Sequence, residues 1–172
     1  MRTLVAGLGN IFEGDDGFGV EVANALADAQ WPDGVELGEY GIRGVHLAYQ
    51  LLEGYDLVVI ADAVSRGGEP GTVYVIEHAV DTERPVPAAG ESMVDAHDLG
   101  PDAVLALVPT LGGTLGRVVV VGCEPATLAP NMGLSAAVAG SVQTAAKLVT
   151  DIVFSAYAGD DATADSSRCG GG

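Results

Sequence analysis

The sequence predicts a three-layer α/β domain, a five-stranded mixed sheet with helices on both faces. Three observations predict it. Segments 2–8 and 56–62 are almost continuously apolar, as strands buried on both faces are. Segments of helical spacing alternate with the strand segments, so helices must cover the sheet. The connection 63–71, rich in Gly and Pro, is too short for a parallel crossover, which takes about a dozen residues or more. The fourth strand is therefore expected to run antiparallel to its neighbours.

The elements follow in order. The first strand, 2–8, ends in the turn Gly7-Leu8-Gly9-Asn10. Val20, Val22, Ala23, Leu26 and Ala27 share one helical face, which predicts a helix over 17–29. A second strand is expected over Val35–Tyr40, and a second helix over Val45–Leu52, ended near Gly54. The third strand, Asp56–Asp62, stays apolar until its last residue, and Thr72–Glu77 reads as the fourth. A helix over Asp98–Val108 should stop before Pro109, which has no N–H to donate. Arg117–Gly122 reads as the fifth strand, and Ser135 is placed to cap a long final helix reaching Tyr157. One domain is thus expected over 1–158. From Gly159 the composition turns to Asp, Ala, Ser and Gly, a tail with little to bury that is expected to be disordered.

Composition narrows the function. The chain has 172 residues, 48% of them apolar and 18% charged, enough for one proper core. Its net charge is −17, from 24 acidic against 7 basic residues, and the basic ones are scattered along the sequence. Binding to nucleic acid needs clustered Lys and Arg, so DNA, RNA and anionic membrane surfaces are excluded as partners. No apolar run reaches the roughly 18–20 residues of a membrane span, and Met1-Arg2 leads straight into a strand without a signal-peptide pattern. A cytoplasmic protein is expected; its oligomeric state is left open, a monomer being the simplest reading. Cys123 and Cys169 form neither a zinc spacing nor a redox pair, and Cys123 suits a buried thiol.

The chemistry begins after the first strand. A dinucleotide binder would place a phosphate at such a glycine turn, where free N–H groups meet an anion. Here Glu13, Asp15 and Asp16 occupy that place, so the site reads as cation-binding. In open α/β sheets ligands gather beyond the carboxyl ends of the strands where strand order reverses. With the second strand on one side of the first and the third on the other, that point lies between strands one and three. Asp16 follows strand one, Asp62 ends strand three, and His97 heads the next helix. Two carboxylates and an imidazole leave a first-row divalent metal with open positions; nickel, zinc, iron and manganese all fit that set. Glu39, ending the second strand, is expected at the edge of the crevice in a supporting role. The competing reading makes Asp15 or Asp16 the N-cap of the first helix, and Asp62 the cap of a turn. His46 fits a helix surface and His78 a strand end, without a role, and Gly41 and Gly44 read as turn residues.

Gly7-Leu8-Gly9-Asn10 and Asp15-Asp16-Gly17-Phe18-Gly19-Val20 resemble the opening of the nickel–iron hydrogenase maturation endopeptidases. The resemblance continues at Ile60-Ala61-Asp62-Ala63, Ala96-His97-Asp98-Leu99-Gly100, Gly122-Cys123-Glu124-Pro125 and Leu128 to Ser135, spanning residues 1 to about 155. It implies a sheet of order 2-1-3-5-4 with strand four antiparallel. It implies a protease that removes a C-terminal peptide from the hydrogenase large-subunit precursor after nickel insertion. Asp16, Asp62 and His97 then become the nickel-contacting and catalytic residues, with the nickel carried by the precursor. In the family an Asp often stands in the turn after strand two; here the turn is Glu39-Tyr40-Gly41, a departure from that pattern.

No Ser–His–Asp or Cys–His nucleophile accompanies these residues, so hydrolysis would rest on an activated water. Three rival readings compete with this one. A nucleotide cofactor is disfavoured because the third glycine falls at position 14 rather than 12 and the carboxylates repel pyrophosphate. Peptidyl-tRNA hydrolases share the Gly-Leu-Gly-Asn opening, but a charge of −17 opposes tRNA. The alternative outside catalysis is a nickel-recognising maturation chaperone that does not cut.

Overall fold

A computed structural model describes residues 1–78 and 100–166, with the helix backbone alone over 160–166. Strands β1 (Thr3–Leu8), β2 (Val35–Gly41), β3 (Leu57–Ala63), β4 (Val73–His78) and β5 (Arg117–Cys123) form one sheet in the order β2-β1-β3-β5-β4. The pairs β1–β2, β1–β3 and β3–β5 are parallel; β4 lies antiparallel on β5, with Val73 opposite Cys123 and Val75 opposite Val121. The helices are α1 (Phe18–Ala25), α2 (Gly44–Leu51), α3 (Pro101–Thr110), α4 (Ala136–Ala139) and α5 (Val142–Ser166).

The alternation of strand side chains sorts the core into two layers. Val5, Val59 and Val121 pack with Phe18, Val22, Val149 and Val153 of α1 and α5. Leu4, Ile60 and Val120 pack with Leu47, Leu51, Val104 and Val108 of α2 and α3. Both faces of the central strands are covered, which is why their sequences read as unbroken apolar runs.

Helix α1 sits unusually close to the sheet. A Cβ at Gly19 would lie 2.1 Å from the Ala61 carbonyl oxygen and 2.3 Å from that of Leu8, so only glycine fits. This contact draws the start of α1, and the acidic turn before it, onto the carboxyl ends of β1 and β3. Gly19→Ala is expected to cost about 3 kcal/mol, the upper range for overpacking a core, read as a lower midpoint in urea. A loss below about 1 kcal/mol would show that the helix can back away from the sheet at little cost.

The elements differ from the sequence reading at their ends. A 3-10 turn, Gly14–Gly17, precedes α1. Helix α3 begins at Pro101, whose missing N–H costs nothing in a first turn, and it ends one residue beyond Pro109. The final helix is divided. Ser135 caps α4, its Oγ accepting from the Val138 N–H at 3.4 Å, but the chain then bends at Gly140-Ser141. The Ser141 hydroxyl donates to the Gly71 carbonyl at 2.6 Å, tying the bend to the turn before β4. Helix α5 runs to Ser166 rather than stopping at Tyr157, taking in the first part of the expected tail. No proline interrupts 159–166 and alanine propagates helix well, so the backbone continues as a helix beyond Tyr157. The stretch 136–159 is long and apolar enough to cross a membrane by length and composition, although Gln143, Lys147 and Asp151 interrupt its apolar run. Its Val138, Ala145, Ala146, Val149 and Val153 instead lie in the core, as in a covering helix of a three-layer domain.

Candidate active site at the carboxyl ends of β1 and β3

The turn leaving β1 is built around Gly9, whose φ of 118° is open to glycine. A Cβ there would meet the Asp16 carbonyl oxygen at 1.7 Å, so the acidic turn folds directly onto Gly9. The Asn10 N–H then donates to Asp16 Oδ2 at 2.6 Å, and the Phe12 N–H to Asn10 Oδ1 at 3.0 Å. Asp16 is half-buried, held at the mouth of the crevice between β1 and β3.

Asp62 stands next to last in β3, opposite Gly122 of β5, and only 5% exposed. Its Oδ1 accepts from the Ala63 N–H at 2.9 Å. Burial, and then the negative charge of Asp16, push its carboxyl well above the usual range, against the opposing effect of that hydrogen bond. Two carboxyls coupled in this way favour a shared proton or a shared cation.

Neither acid of the turn caps α1. Gly17 holds the N-cap and no side chain bonds there. Asp15 is wholly buried and does different work: its Oδ2 accepts from Ala126 and Thr127 N–H at 2.8 and 3.1 Å, and its Oδ1 from Ser135 N–H at 2.6 Å. Burial raises its pKa, but the backbone donors outweigh it and hold the group below the usual carboxylate range. Asp15 therefore fastens the loop after β5 to the acidic turn.

The sequence reading assigned no such task to Glu124. This carboxylate, 5% exposed, accepts from the N–H groups of Arg66 and Gly67 at 2.8 and 3.1 Å and from the Tyr74 hydroxyl at 2.9 Å. The backbone donors hold it ionised against burial, with its pKa lowered. It thereby fixes the loop that leaves Asp62. The available signal was an acid set directly behind an unbroken apolar strand.

Of the other expected residues, His97 lies outside the described residues. Glu39 lies near the end of β2, two residues before Gly41, and is exposed to solvent with its carboxylate beside Gly41. His46 is exposed on α2, His78 lies 3.6 Å from Asp102, and the thiol of Cys123 is buried and pushed up to about 11 by that burial. Among the described residues no three acidic, His or Cys side chains come together as a metal site. Asp16 and Asp62 supply two oxygen donors of the kind a divalent first-row cation accepts.

Comparison with known proteins agrees with this architecture. The family model for hydrogenase maturation proteases matches residues 20–152. The chain is 32% identical over 151 residues to the hydrogenase 2 maturation protease of Escherichia coli K12, covering 87% of this chain and 88% of that protein. It is 33% identical over 156 residues to the hydrogenase expression/formation protein HupD of Rhizobium leguminosarum, covering 90% of this chain and 75% of that protein. The solved structure of the hydrogenase maturating endopeptidase HybD from E. coli superposes with a TM-score of 0.73 at 31% identity, covering 91% and 94% of the two chains. By these matches the chain belongs to the hydrogenase maturation proteases, a family of peptide-bond hydrolases.

Proposed function

We propose that this protein removes the C-terminal peptide of a nickel–iron hydrogenase large-subunit precursor in the cytoplasm, after nickel has been inserted. One observation carries the reading most: a buried carboxyl, Asp62, with its pKa raised by burial and by the charge of Asp16. Such a group is suited to exchanging a proton with water in the crevice. It takes a proton from water as the water attacks the scissile carbonyl. It returns that proton to the departing amine as the C–N bond breaks, leaving a new carboxylate and a free amino group.

The nickel belongs to the substrate. Asp16, Asp62 and His97 are assigned as the protein's ligands to it, and they leave positions open for donors from the precursor. A resident zinc protease usually supplies three protein ligands and retains its metal. Here two carboxyls, one buried and one half-buried, hold a cation firmly only when the precursor completes the shell. The metal then reports that the precursor is mature.

Nickel-loaded and nickel-free precursor, each incubated with the purified protein, test this. Cleavage of the loaded form alone, by protein that itself carries little metal, is the expected result. Equal cleavage of both forms in chelator would remove the metal from recognition. Binding of the loaded form without cleavage would make the protein a chaperone.

A further inference from the structure

We infer that two paired loops beside Asp16 form the docking ledge for the large-subunit precursor, with Phe12 and Met132 as its apolar anchors. This rests on the peptidase reading above and adds the surface that receives the substrate. The turn after β1 and the loop after β5 run side by side. The Asn131 N–H donates to the Phe12 carbonyl at 3.0 Å, and the Gly14 N–H donates to the Asn131 carbonyl at 2.8 Å. Large apolar side chains stand out from this pair into solvent: Phe12 is 61% exposed, Met132 71%, Leu128 47% and Ile11 41%. The core does not use them, and an exposed apolar cluster of this kind marks a surface that meets another molecule.

The ledge is continuous with the candidate active site. Phe12 is bonded to Asn10, and Asn10 to the Asp16 carboxylate, so a chain seated on the ledge rests on the same loop that holds that acid. Asp15 fastens the other loop through Ala126, Thr127 and Ser135, so the surface is set before the partner arrives. Phe12 offers a rigid contact and Met132 an adaptable one.

Charge selects the occupant. Glu21 lines a small cleft with Ile11, Gly133 and Leu134, and Glu13 lies between Phe12 and Gly14 at the paired loops. Arg2, Arg117 and Lys147 are paired with acids elsewhere, at Glu36 and Glu53, Glu77 and Asp151. A chain of net charge −17 repels a second copy of itself at such a face. The complementary partner is apolar at its centre and basic at its edge. The occupant is therefore a precursor segment near the cut that presents an apolar side chain flanked by Lys or Arg.

The test pairs a double variant, Phe12→Ser with Met132→Ser, with the nickel-loaded precursor. Binding is followed by biolayer interferometry and cleavage by KM and kcat. Kd and KM are expected to rise about 10-fold or more, with kcat and melting temperature close to wild type. Phe12→Leu, which keeps the apolar area, should bind as wild type does. If the double variant does not fold, Met132→Ser alone should still raise Kd, by a smaller factor. Wild type that cleaves beside a double variant with unchanged Kd and KM would overturn the ledge and leave the peptidase reading standing. Wild type that neither binds nor cleaves would overturn both. A dimer in sedimentation that the double variant abolishes would assign the surface to self-association instead.

Discussion

Alanine at position 15 is expected to lower the melting temperature by about 6–12 °C, while Asn at position 16 leaves it almost unchanged. The Asp15 carboxylate accepts three backbone N–H groups, and its removal strands them in a buried site. A net loss of about 3 kcal/mol follows from charge-assisted bonds of this kind, and each kcal/mol moves Tm by about 2–4 °C in a chain of this size. The pH dependence gives a second check. A lowered native pKa contributes stability that is present above the unfolded value of 3.8 and is lost as pH falls through the native value. The gap between wild type and Asp15→Ala should therefore stay constant at neutral pH and close in acid. Asp15→Asn retains one acceptor oxygen and should fall between the two. Equal melting of wild type and Asp15→Ala would show that the loop after β5 is held by something other than this acid.

Asp62→Asn is expected to lose about 10²–10⁴-fold in cleavage, the usual contribution of general acid–base catalysis, and to gain stability at neutral pH. The two effects have one cause. A raised native pKa gives stability that is complete below the unfolded value of 3.8 and is lost as pH rises through the native value. Wild type thus carries an unfavourable buried charge at high pH, and the amide does not. The Tm advantage of Asp62→Asn should grow with pH and vanish near pH 3, about one unit below the carboxylate reference. Asp16→Asn removes the second cause of the shift, so residual cleavage in that variant should show its acidic limb at lower pH. A variant at position 62 that cleaves normally would end its role in proton transfer.

The strands were legible because period-2 burial on both faces leaves no polar residue inside β1, β3 or β5 except at their ends. The antiparallel β4 was legible from chain length alone, since 63–71 cannot carry a crossover helix. What was not legible is long-range. Asp15 and Asp16 are neighbours of the same type, and composition cannot separate them. Their partners can: Asp15 reaches donors 111 to 120 residues away, and Asp16 reaches one 6 residues away. Glu124 escaped for the same reason, because its task depends on Arg66, Gly67 and Tyr74. The bend at Gly140-Ser141 was missed because helical spacing of apolar residues persists through it. Ser141 leaves the helix pattern intact in sequence while binding a carbonyl of another segment.

The antiparallel strand has a consequence for how such proteins diverge. Because β4 starts beside Cys123, where β5 ends, the connection 64–72 lies at the same end of the sheet as Asp62. The chain thus passes across the end of β5 in a short connection rather than a helix. A connection of this kind accepts insertions and deletions without any change in strand order. Segment length on that side can then vary while Asp16 and Asp62 stay where the contacts of Gly9 and Gly19 put them.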